Sequence, residues 1–318
     1  MRTRSMSGGL AFALVAAVSF GISGALIKPL LEAGWSPGAA VTVRAFVGGI
    51  VLAPVAAVAL RGRWTTLWVG RWRILGMAVF GVAATQLFYF ASVQLIPVGT
   101  AILIEYMAPL LLVGVAWVTL RRAPRAVVLI GSVIAFAGLV FIVAPGGSGG
   151  LNPLGVMFAV LAMIGCAVYF VVAARPAKGL PPVALASAGL LLASLILLGV
   201  GTAGLMPFTA SFDDVTLFDT VTPWWVPMLI VGVVATAVSY STSITATAIL
   251  GSRLASFAGL LEVAAAALWA WILLGESLSG LQLLGGALIL VGIAFVRSER
   301  GEAEVSEPAA PALQRRSA

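Results

Sequence analysis

Four ionisable residues stand within long apolar runs of this chain: Lys28, Arg44, Glu105 and Glu262. A charge in hydrocarbon is costly, so each is expected to be paired or to handle ions and polar solutes. Lys28 ends its run, where its stem can carry the amine out to the headgroups or into a cavity. Arg44 and Glu105 each lie about two turns, about 10 Å, from the same end of their runs. Equal depth and opposite sign make them expected partners, as a helix lock or as part of a polar pathway. Glu262 falls near the middle of its run, and no basic residue of the second half matches its depth. Burial disfavours a charged carboxylate there, which suits a group that takes up and releases protons. A protonated Glu262 bonded to a neighbouring helix is the structural alternative.

Polar neighbours accompany these charges. Pro109, four residues after Glu105, has no N–H to give the carbonyl of residue 105. A bend is expected there, and broken helices build substrate sites near the midplane of transporters. The run "TAVSYSTSITATAIL" is rich in hydroxyls, among them Ser239, Tyr240 and Ser243. The run "TQLFYF" offers Gln86 and Tyr89, which a shift of 154 residues lays on Tyr240 and Ser243. Polar groups at equivalent places fit a shared cavity; hydroxyls bonded back to their own helices are the alternative. The chain has no histidine and one cysteine, Cys166. No metal site, no cofactor and no disulfide is therefore expected, and no nucleophile–base set points to an enzyme.

The elements that carry these residues follow from composition. The chain is 61% hydrophobic and 9% charged, against roughly 25% charged in soluble domains. About ten runs reach the length of about 20 apolar residues that a spanning helix needs: near 9–28, 38–60, 74–94, 98–120, 125–144, 153–174, 183–203, 225–247, 254–274 and 279–297. None alternates as a barrel strand would. Of the 18 basic residues, all but Lys28 and Arg44 fall at the ends or in even-numbered gaps, while the odd gaps hold only acids such as Asp213, Asp214, Asp219 and Glu276. The positive-inside rule then places both termini in the cytoplasm. The net charge of +7 orients the chain in lipid and does not point to nucleic acid. The first run reads as an uncleaved insertion signal, and most tryptophans read as a headgroup belt.

The two halves repeat. "AILIEYMAPLLLVGVAWVTLRRAPRAVVLIGSVIAFAGLVF" aligns without gaps on "ASFAGLLEVAAAALWAWILLGESLSGLQLLGGALILVGIAF", pairing Trp117 with Trp271, Gly131 with Gly285 and Gly138 with Gly292. The break is Arg121-Arg122 in one copy and Gly275-Glu276 in the other. Five spans per copy likewise make the second enter from the opposite face. The expected architecture is an all-α integral membrane protein, ten helices in two inverted five-helix repeats. Residues 1–147 form the first, 148–297 the second, and 298–318 a disordered cytoplasmic tail.

The stretch "LLEVAAAALWAWILLGESLSGLQLLGGALILVGIAF", with Arg44 early in the second span and Pro109 in the fourth, resembles the EamA-type transporters of the drug/metabolite transporter superfamily. The resemblance implies a plasma-membrane (bacterial inner-membrane) carrier of amino acids or other small metabolites, with export the expected direction. The chain's own partners are then a small solute, protons and lipid, with a homodimer left open. A passive channel and an uptake permease for the same solutes are the competing readings.

Overall fold

The computed structural model describes residues 2–120, 125–143, 151–173, 179–217, 220–276 and 278–305. Arg121, Arg122, Arg175, Lys178, Asp219, Arg315 and Arg316 lie outside these. In lipid the backbone must satisfy itself, and uninterrupted apolar runs do so as helices. Among the described residues, six helices are long and apolar enough to cross a membrane, and four shorter apolar helices take the remaining places. The ten expected spans are thus all present.

In chain order, α1 (Arg2–Glu32) and α2 (Pro37–Ala59) are the first two spans, and α3 (Thr65–Val69) is a short surface helix. The third span joins α4 (Arg71–Gly76), a π-helical turn (Met77–Ala84) and α5 (Thr85–Val93). The fourth is broken into α6 (Val98–Glu105) and α7 (Ala108–Leu120) around Tyr106 and Met107, where Pro109 denies the ladder a donor. Then follow α8 (Ala126–Val143), α9 (Pro153–Ala173) and α10 (Pro182–Thr202). A hairpin, β1 (Val215–Leu217) with β2 (Thr220–Thr222), interrupts the all-α plan in the loop before the eighth span. The eighth span begins as α11 (Trp225–Gly232), passes a second π turn (Val233–Val238) and enters α12 (Ser239–Leu274). The last helix, α13 (Gly280–Val305), continues past Ser298, where the sequence suggests an irregular tail.

Helix α12 contains two spans. Phe20 meets Tyr240 with ring centroids 5.1 Å apart, while the next residue of α1, Gly21, abuts Ala265 and Ala266. A straight helix would separate Tyr240 from Ala265 by about 38 Å. The chain therefore doubles back within α12, giving the antiparallel eighth and ninth spans.

Packing repeats the internal symmetry. Equivalent helices pair across the halves, α2 with α10 and α8 with α13. The third span packs on α9 as the eighth packs on α1, one contact seen twice when the repeats are exchanged. The two π turns end at Ala84 and Val238, separated by the same 154 residues as the sequence repeat. At the α8–α13 crossing, Gly138 rests on the Gly285 carbonyl and Ile289, and Gly292 rests on the Gly131 carbonyl and Ala135. Shifting either set by 154 residues gives the other. Any side chain at these glycines would drive into partner backbone, which is why small residues hold such crossings.

Candidate functional site

The site is built around Arg44, which is 4% exposed. Its Nη1 donates to Ser23 Oγ of α1 at 2.9 Å and to Gln86 Oε1 of α5 at 2.5 Å. Its Nε donates to Thr236 Oγ1 at 3.1 Å and its Nη2 to the Ala235 carbonyl at 3.2 Å. The Phe90 ring lies beneath, 5.4 Å from the guanidinium carbon. Four helices thus meet at one cation, three from the first repeat and one from the second.

The second π turn makes this possible. In it the Ser239 amide bonds the Val234 carbonyl, five residues back, rather than that of Ala235. The Ala235 carbonyl can then serve Arg44. The same device stands in the first repeat, where the Thr85 amide and hydroxyl both reach back to Phe80. The Ser239 hydroxyl reaches Val234 in the matching way, at 2.8 Å.

The expected Arg44–Glu105 ion pair does not form. No such contact occurs within ion-pair distance, and the donors of Arg44 go to neutral oxygens. Glu105 is buried at the C-terminal end of α6 and acts on Arg44 only at longer range. Equal depth fixes one coordinate, and the direction of each side chain around its helix decides the partner. Glu262 is not isolated either. The Tyr106 side chain lies beside it, and Arg44 and Glu105 lie within electrostatic reach. Tyr106, in the break beside Glu105, carries no sequence signal beyond that adjacency.

Gln86 is brought into the site directly. Tyr89 is buried, with its hydroxyl against Gly24, and Tyr89 and Tyr240 both border the Arg44 charge. Ser239 spends its hydroxyl on its own helix, as do Ser241, Thr242 and Thr245. Ser243 makes contacts of its own, and the side chain of Pro109 lies outside the described residues. Ser23 and Thr236 complete the Arg44 shell; Ser23 is one hydroxyl in an apolar run, invisible without the fold.

Lys28 neither snorkels nor enters this group. It forms an ion pair with Glu276, whose other oxygen accepts the Val98 amide at 2.9 Å. Gly275 ends α12 in a left-handed conformation (φ 65°) that places Glu276 there. Val98 opens α6 behind Pro97, which offers no side-chain cap. Glu276 supplies that cap from the other repeat, and its charge suits a helix N-terminus. Trp35 also departs from the expected belt: it is 2% exposed, and its Nε1 donates to the Ser211 carbonyl at 2.5 Å. Beside it Ser36 and Thr209 exchange hydrogen bonds, the Ser36 amide reaching the Thr209 carbonyl at 2.9 Å and the Thr209 amide the Ser36 hydroxyl at 3.0 Å. The turn after α1 is thereby fastened to the loop that carries the hairpin.

Ten spans in two interlocked repeats, with Arg44 and Glu105 buried and Glu262 partly buried near them, define a multi-pass membrane carrier. The EamA-like transporter family model matches residues 7–144 and again 153–298, and the chain belongs to that family. It is a transporter, not an enzyme. One solved crystal structure superposes with a TM-score of 0.57 at 20% identity, covering 96% of this chain and 100% of that one. That likeness speaks for the fold alone. A comparison with curated proteins finds no match.

Proposed function

We propose that the protein exports small metabolites, amino acids or similar amphipathic compounds, in exchange for protons by alternating access. Both termini lie in the cytoplasm on this reading, following the arginine distribution. One observation carries it: Arg44 of the first repeat is held by Thr236 and Ala235 of the second, with Glu105 and Glu262 close enough to feel its charge. Groups from both repeats around one buried charge are what a rocking carrier needs at its centre. Glu262 is the coupling group, because it joins this cluster from the second repeat and stands beside the break in the fourth span, where a carboxylate can take up a proton and release it.

Glu262→Gln keeps the shape and most hydrogen bonds but cannot titrate. In proteoliposomes the variant should exchange substrate at equal concentrations, yet fail to accumulate it when a pH difference is imposed. Full pH-driven accumulation by the variant would remove Glu262 from the coupling role and turn attention to Glu105. Transport in the wild type that never responds to a pH difference would favour the passive facilitator.

A further inference from the structure

Between α2 and the third span, residues 60–73 run along the surface as a strap bearing Arg61, Arg63, Arg71 and Arg73 and no acidic residue. Its inner side is apolar: Leu60 and Ile74 pack with Leu180 and Ala184 of the second repeat, and Leu67 of α3 joins them. Its outer side carries Trp64, Trp68 and Trp72. Trp68 and Trp72, 73% and 71% exposed, are the most exposed tryptophans among the described residues. The Arg71 guanidinium lies 4.9 Å from the Trp68 ring centroid and 5.8 Å from that of Trp72, and its Nη1 donates to the Trp68 carbonyl at 3.0 Å. Arg63 is likewise tethered, its Nη2 to the Ala59 carbonyl at 3.0 Å. No carboxylate among the described residues lies within ion-pair distance of Arg61, Arg63 or Arg71.

We infer that this strap is a binding site for an anionic phospholipid headgroup. Indole rings settle where acyl chain meets headgroup, so Trp68 and Trp72 set the depth of the strap. Arg71, held between them, then stands at the level of the lipid phosphates. A guanidinium presents a planar fork that matches phosphate oxygens, and ring stacking with one backbone bond leaves further N–H groups of Arg71 to donate. Arg61 and Arg63 add charge around it. The ligand is a lipid rather than a free phosphate, because two exposed indoles flank the cation and reward only a headgroup with chains attached. The inference is independent of the transport reading.

The test uses full-length protein in nanodiscs and tryptophan quenching by a brominated lipid held at a minor fraction. Brominated phosphatidylglycerol should quench more strongly than brominated phosphatidylcholine at the same fraction. Trp64→Phe, Trp68→Phe and Trp72→Phe combined should abolish the difference, showing that the strap reports it. Each of Arg61→Ala, Arg63→Ala and Arg71→Ala should lower the apparent preference by about fivefold, and these exposed positions leave the fold intact. Soluble glycerol phosphate should not compete. Equal quenching by the two lipids, a preference that survives all three arginine changes, or displacement by glycerol phosphate would each overturn the assignment.

Discussion

The link from Lys28 to Glu276 to Val98 ties the end of the first span to the turn before the tenth and to the start of the fourth. Its strength can be worked from its parts. The two side chains are 19% and 15% exposed, so the pair is mostly but not wholly withdrawn from solvent. Removing one partner of a fully buried pair costs about 3–5 kcal/mol, and the exposed portion returns some of that through screening. Lys28→Met keeps the apolar stem and leaves the carboxylate with the Val98 amide alone, at an expected cost of about 2–3 kcal/mol. Glu276→Gln still accepts from Val98, and the freed Lys28 can extend to the interface, so about 1–2 kcal/mol is expected. The double variant leaves no bare charge and should cost about 1–2 kcal/mol in all, a coupling of about 2 kcal/mol. Equilibrium unfolding in mixed micelles, run as a double-mutant cycle, measures this. A coupling below about 0.5 kcal/mol would refute the link as a contributor to stability.

The α8–α13 crossing makes its own demand. Gly138→Ala and Gly292→Ala should each destabilise by about 1–3 kcal/mol through forced separation of the backbones, and by the same amount within error, since the two positions are equivalent. Unfolding of the two variants side by side checks this, and sharply unequal losses would contradict the symmetry. Cysteines introduced at Ser211 and Ser298 should react with an impermeant reagent from opposite sides in cells; labelling from one side would contradict the inverted arrangement.

Span number, repeat and family were legible because each rests on a one-dimensional quantity: apolar length, spacing, or the order of residues along the chain. Partners around a helix were not. Arg44 and Glu105 share a depth, but Arg44 turns toward Ser23, Gln86 and Thr236. Lys28 and Glu276 read as separate end-of-span charges because 248 residues lie between them. The hairpin was marked faintly, by the β-branched residues of "VTLFDTVT", in a stretch whose acids draw the eye to topology. The π turns had no mark at all. Their positions depend on where a hydroxyl such as Thr85 or Ser239 can hold the carbonyl five residues back.

The crossing of α8 and α13 is self-complementary: what Gly138 meets on one side, Gly292 meets on the other. A surface of that kind needs only a two-fold axis, and a covalent connection adds nothing to its fit. Two unlinked copies of a single half, inserted in opposite directions, would make the same contact. Fusion into one chain releases the halves from that identity. Arg44 can then sit in one half alone, with Thr236 and Ala235 answering it from the other. The symmetric seam joins the two halves, and the asymmetry gathers around the one buried arginine.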